Sequence, residues 1–281
     1  MGAGLASRAR RYGCLASAGS LATAAHMLFV AVFIFGALVG SFLNVCIHRV
    51  PIGESVVFPA SHCPQCQQAI QPYDNVPILS YLFLRGRCRS CGNGISARYP
   101  VVETLTGLAA VAVVCAAALT AHALLAFAFV CALIVITFVD FDHQIIPDAI
   151  SLPGIAVGFA AALVLGQPTW TASLAGILLG GGLLWGIAEG YHWLTGREGM
   201  GGGDIKLLAM IGAFLGWQAV PVTLMIASLA GTAVGVTLMV VQRRDGRTAI
   251  PFGPFLAIGA ICALFWGDAL IAWYLGLAQP A

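Results

Sequence analysis

Charge is scarce in this chain. Asp, Glu, Lys and Arg together make up 9% of the 281 residues, and Lys206 is the single lysine. Mean hydropathy is +0.94. That balance excludes a soluble domain of ordinary size outside the polar stretch 48–100. Two further features are missing. There is no glycine-rich strand-to-helix cofactor fingerprint, and there is no internal repeat of the kind that marks many transporters. No nucleic-acid partner is expected.

What the chain has instead is a series of apolar stretches, running almost to its C-terminus. Eight are legible, at about 27–47, 101–120, 122–140, 149–166, 171–193, 204–218, 220–241 and 252–276. The longer ones can cross a bilayer core of about 30 Å as helices. The sixth is short for a full crossing and is expected to tilt or to sit partly inside the bundle. Thirty-four glycines suit close helix packing in lipid. The expected fold is an all-α integral membrane protein of about eight transmembrane helices. Residues 1–26 read as a disordered extension, not a cleaved signal peptide, because the apolar run from Met27 continues into a motif-bearing segment. The first membrane helix takes 27–47, a polar loop domain 48–100, a seven-helix core 101–276 and a tail 277–281.

Orientation follows from Lys and Arg in the connections. The odd-numbered connections carry Arg49, Arg85, Arg87, Arg89 and Arg98, then Arg197 and Lys206, then Arg243, Arg244 and Arg247; the even-numbered ones carry none. Arg8, Arg10 and Arg11, before the first span, run against this bias. The bias places 48–100 in the cytoplasm and the N-terminus outside.

That loop holds four of the nine cysteines, as Cys63-Pro-Gln-Cys66 and Cys88-Arg-Ser-Cys91. Two Cys-x2-Cys knuckles supply four thiolates, a tetrahedral set for structural zinc. Two disulfides are the competing reading, and a reducing cytoplasm opposes them. A closed four-cysteine site leaves no open coordination position, so its zinc would staple a loop poor in large apolar residues and do no chemistry. The remaining cysteines read as small buried hydrophobes.

Two aspartates stand at the ends of apolar runs: Asp140, opening Asp140-Phe-Asp142-His-Gln-Ile-Ile-Pro147-Asp148, and Asp204, in Gly201-Gly202-Gly203-Asp204-Ile-Lys206. A carboxylate costs roughly 2.5–3.5 kcal/mol at the bilayer centre and less near its surface, so each is a functional candidate. By the topology above, both lie at the cytoplasmic face. Two carboxylates at one site share a proton, which suits aspartic proteolysis: one draws a proton from water and the other protonates the scissile carbonyl. The glycines at 201–203 let another backbone approach. Helix capping is the alternative for Asp204, and Asp142 and Asp148 are not separated from Asp140 by the residues alone. Lys206 is expected to pair with a carboxylate or to reach the headgroups. A proton-coupled transporter and a presenilin-like intramembrane protease are the competing functions.

With these residues assembled, the chain resembles the type IV prepilin peptidases over about 27–276. The landmarks come in order: Gly40-Ser-Phe-Leu-Asn44-Val-Cys-Ile-His48-Arg49-Val-Pro51, the two cysteine pairs, Ile95-Ser-Ala-Arg98-Tyr99-Pro100-Val-Val-Glu103, the Asp140–Asp148 stretch, Gly201–Lys206, and Pro251-Phe-Gly-Pro254-Phe. The resemblance implies Asp140 as the first catalytic aspartate, seven residues before Pro147, and Asp204 as the second. Asp142, Pro147, Gly201, Gly203 and Lys206 support them. It also implies a prepilin or pseudopilin substrate cut after a glycine, in the bacterial inner membrane. N-methylation of the new terminus from S-adenosylmethionine is implied too, with Gly86 and Arg87 before the second cysteine pair. The family often has lysine at the second of these positions, and arginine differs from it in shape and hydration.

Overall fold

The computed structural model describes residues 3–196, 201–242 and 251–277, with side chains over 26–196, 201–241 and 251–276. Arg197, Arg243, Arg244, Arg247 and residues 278–281 lie outside the described residues, as do the side chains of Arg8, Arg10 and Arg11.

Local chemistry sets the helix ends. Thr120 Oγ1 accepts the Ala123 amide at 3.2 Å and Thr169 Oγ1 the Ala172 amide at 3.3 Å, each capping the first turn of an apolar run. Gln144, Gly166 and Gly196 close helices in the left-handed conformation. The helices are α1 (Ala3–Arg49), α2 (Leu79–Phe83), α3 (Arg98–Ala117), α4 (Ala121–His143), α5 (Asp148–Leu165), α6 (Trp170–Thr195), α7 (Gly202–Leu215), α8 (Ala219–Gln242) and α9 (Gly253–Leu277). No strand occurs among the described residues.

Among the described residues, seven helices are long and apolar enough to cross a membrane: His26–Arg49, Arg98–Ala117, Ala121–His143, Asp148–Leu165, Trp170–Thr195, Ala219–Val241 and Gly253–Gly276. The eighth stretch, α7, has 14 residues. It rises about 21 Å, short of a core of about 30 Å. Residues 3–25 form the first part of α1, and the span within that helix starts at His26. Their alanine-rich composition favours helix.

Glycine decides how closely the helices approach. A Cβ at Gly36 of α1 would stand 2.8 Å from Gly107 Cα of α3, and one at Gly40 2.7 Å from Glu103 Cα. The short α7 lies in a groove of the same kind. A Cβ at Gly176 of α6 would collide with Gly212 O, and one at Gly180 would meet Leu208 O at 2.6 Å. Gly158 of α5 receives Phe214 and Ala213. Leu207 through Ala213 are consequently all buried, in a core shared with Phe129, Leu133 and Ile136 of α4 and Leu256 of α9. With lipid as apolar as leucine, close contact of this kind is what holds membrane helices together. Ser173 Oγ donates to Ala213 O at 2.7 Å, and the Trp217 amide to Ala172 O at 3.1 Å, fixing the C-terminal end of α7 to the start of α6.

The loop between α1 and α3 is tied down by buried polar side chains. Arg49 donates to Ser55 O at 3.0 Å and Pro59 O at 2.8 Å. Glu103, buried in α3, accepts the Ile78 amide at 2.7 Å. Asn44 donates to Tyr99 O at 3.2 Å. Within the loop, Arg89 pairs with Asp74 at 2.6 Å and lies over the Tyr73 ring. The start of α3 and the end of α4 lie beside each other through Arg98 and Asp142, so the loop leaves the bundle at the face where α4 ends.

Candidate active site

The two cysteine knuckles share one backbone plan. In the first, the Cys63 amide donates to Gln68 O and the Gln67 amide to Cys63 O; in the second, the Cys88 amide donates to Asn93 O and the Gly92 amide to Cys88 O. The residue after the second cysteine is left-handed in both, Gln67 at φ 58 and Gly92 at φ 72. This arrangement turns the thiols inward. All four sulfurs lie within 4.8 Å of one another, and Cys63 Sγ stands 3.9 Å from Cys91 Sγ. A tetrahedral ion with sulfur ligands at about 2.3 Å separates them by about 3.8 Å, so the set fits zinc and not a pair of disulfides. The Cys66 amide, then that of Gln65, holds the Cys63 thiol down at about 6. For Cys91 the Asn93 amide pulls downward, but burial and the neighbouring thiols outweigh it and push the group up to about 11.

Gly86 and Arg87 lie just before the second knuckle. Gly86 is left-handed at φ 66, with its Cα facing the Tyr81 hydroxyl, and its carbonyl accepts the Ile95 amide at 2.7 Å. Arg87 is exposed.

At the neighbouring face, three helix ends converge on the segment that links α4 and α5. Asp140 lies in the last turn of α4, buried, and Gln144 closes that helix by donating its amide to Asp140 O. Gly203, at the start of α7, has room for no side chain: a Cβ there would meet Ile146 Cβ at 2.8 Å. Gly253, which begins α9, packs on the same isoleucine, and its amide donates to Asp140 Oδ2 at 2.9 Å. Asp204, one residue after Gly203, is half-buried, and burial first, then the charge of Asp140, pushes its carboxyl up. Gly201 caps α7 and is exposed. Pro147 caps α5, and its carbonyl accepts the Ile150 and Ser151 amides.

The other carboxylates of this region are occupied. Asp142 forms a two-pronged ion pair with Arg98, whose guanidinium also lies 5.5 Å from the Phe138 ring centroid. Asp148 holds Lys206 through both oxygens, at 2.7 and 2.8 Å. Among the described residues, Asp140 and Asp204 have no ion pair. The Arg98–Asp142 pair is about a third exposed, so its loss is expected to cost roughly 1 kcal/mol of stability. Asp142→Asn should lower the unfolding free energy measured in detergent by about that amount.

Two participants escaped the sequence reading. Ile146 was one apolar residue among many. Gly253 acts through its backbone, which has no residue signature; the Gly-Pro step that opens an apolar run was the available hint of a helix start.

Residues 34–117 match the Bacterial Peptidase A24 N-terminal domain, and residues 127–236 match the Type IV leader peptidase family. The prepilin leader peptidase/N-methyltransferase of Aeromonas hydrophila is 40% identical over 273 residues, covering 89% of this chain and 94% of that protein. The protein of that name from Pseudomonas putida is 39% identical, over 85% of this chain and 91% of its own length. The one from Legionella pneumophila is 34% identical, over 89% and 95%. No solved structure matches. The first domain match takes in the cysteine loop and its flanking helices, the second runs through both aspartate motifs, and the relatives align over most of both chains, so the chain belongs to the type IV leader peptidase family.

Proposed function

We propose that this chain is a membrane aspartic endopeptidase that removes the basic leader of type IV prepilins or pseudopilins after a glycine, and N-methylates the residue so exposed. Asp140 and Asp204 are the reacting pair. The observation that carries this is the selective pairing at the converged helix ends: Asp142 and Asp148 are neutralised by Arg98 and Lys206, which leaves Asp140 and Asp204 as the carboxylates without an ion pair there among the described residues. Like charges held close share one proton, which supplies a base and an acid at once. Water is the nucleophile, so no covalent enzyme intermediate forms. The open approach at Gly201 and Gly202, where a Cβ would meet nothing within 4 Å, suits an unwound substrate strand.

The Lys and Arg bias supports a cytoplasmic placement of this face and of the loop domain 48–100, in the inner membrane of a bacterium carrying a type IV pilus or type II secretion system. The substrate's apolar helix enters from lipid, while its basic leader stays among anionic headgroups. The peptidase core is 101–276. Cys63, Cys66, Cys88 and Cys91 hold a structural zinc. Arg87 would meet the carboxylate of S-adenosylmethionine, and left-handed Gly86, packed on the Tyr81 hydroxyl, sets the turn that presents it. The methyl donor supplies a methyl group on a sulfonium, ready for transfer to an amine.

Mass spectrometry of a prepilin co-expressed with this chain tests the reading. The expected product has lost its leader at a glycine and gained one methyl group at its new N-terminus. Intact prepilin would contradict the proposal.

A further inference from the structure

We propose that the Gly253 amide breaks the symmetry of the aspartate pair, making Asp140 the general base and Asp204 the general acid. The inference rests on the reading of these two residues as the reacting pair.

The Pro251-Phe-Gly-Pro254-Phe motif has no part in the mechanism so far, yet it touches the site. The Gly253 amide reaches Asp140 Oδ2 at 2.9 Å in a buried hydrogen bond between residues far apart in sequence. A Cβ at Gly253 would stand 2.7 Å from the same oxygen and 3.2 Å from the carboxyl carbon. Only glycine therefore allows the approach. This amide also begins a helix of 25 residues, so its partial positive charge is reinforced by the helix dipole. A backbone N–H can only donate, and a donor fixed on a buried carboxylate favours its negative form. Asp204 has no side-chain hydrogen bond among the described residues. The shared proton therefore rests on Asp204.

The other charged groups on the elements around α4 do not compete. Arg98 is engaged by Asp142, Lys206 by Asp148, and Glu103 by the Ile78 amide. The one charged residue of α9, Asp268, lies toward its other end.

The steps follow. Asp140 takes a proton from water as the water oxygen bonds to the scissile carbonyl carbon, and Asp204 gives its proton to the carbonyl oxygen. The resulting gem-diol collapses as the C–N bond breaks. The leaving nitrogen takes the proton held by Asp140, and a diol proton returns to Asp204. Both carboxyl groups end as they began.

The test is steady-state cleavage of a prepilin by full-length Gly253→Ala in detergent, with methylation of a pre-cleaved pilin as the check on folding. The expected result is a fall in kcat of about 100-fold, in line with the loss of a tuned acid–base group. KM and methylation should hold, and the acid limb of the pH–rate profile should move to higher pH, because Asp140 loses the donor that favours its charged form. Pro254→Ala, which keeps the Gly253 amide and adds nothing at Asp140, should keep the wild-type profile. Wild-type kcat and pH profile in Gly253→Ala would overturn the inference, as would a lowered kcat with an unmoved pH profile. Asp140→Asn and Asp204→Asn, run alongside, separate the outcomes. If both are inert while Gly253→Ala is normal, the pair stands and only its asymmetry falls; if either cleaves normally, the pair itself falls.

Discussion

Asp204→Asn is expected to abolish cleavage of a prepilin peptide in detergent, with kcat down by about 10²–10⁴-fold. The substitution changes almost no volume and leaves the amide of residue 204 donating to Gly201 O, so α7 keeps its first turn. What asparagine lacks is a proton to exchange. The carbonyl oxygen of the substrate would then have to take up charge in a region of buried apolar side chains, where separated charge is costly. Methylation of a pre-cleaved pilin should survive, because the cysteine loop joins the bundle through Arg49, Asn44, Glu103 and the Arg98–Asp142 pair, none of which involves Asp204. Loss of both activities would point to misfolding in place of lost chemistry.

The second large effect is expected in the loop. Purified protein should carry about one zinc per chain, and Cys63→Ser with Cys66→Ser should remove it. Structural zinc contributes roughly 10–16 kcal/mol to small zinc domains at neutral pH, and this loop has little apolar core to replace it. Its described secondary structure amounts to one turn at Pro72–Asp74, the five residues of α2 and two isolated bridges, one in each knuckle. Without metal the knuckles should open, and methylation with them. The bundle is held by glycine-mediated helix contacts remote from the sulfurs, so leader cleavage should persist. Metal analysis beside both activity assays reads this directly. Protein without metal and with four freely titratable thiols would refute the zinc assignment.

The legible part of the fold was whatever hydropathy records. Seven long helices fall where the apolar runs predict, with ends shifted by a few residues: α3 begins at Arg98, where Pro100 is tolerated in its first turn. The length of α7 predicts a helix partly inside the bundle, but not which grooves hold it. Gly154, Gly158, Gly176 and Gly180 are plain in the sequence, but nothing there says that their grooves all receive one short helix. Residues 3–25 lack amphipathic periodicity, a signal that an alanine-rich helix does not need. At the site, the motif glycines and aspartates stood out because charge is so rare. Choosing Asp140 over Asp142 needed the family pattern, since the difference lies in Arg98, forty-odd residues away in sequence. Gly253 lies in one of the ordered landmarks, but its part is played by a backbone amide, which is present at almost every position, and only the fold selects one.

The central claim is that Asp140 and Asp204 act as one unit. It is tested most directly by kcat/KM for prepilin cleavage in Asp140→Asn, Asp204→Asn and the double variant, measured side by side in detergent. Groups that share one proton fail together, so all three should be equally inactive. A single variant that retains substantial cleavage, or a double variant whose loss is the product of two modest single losses, would contradict it.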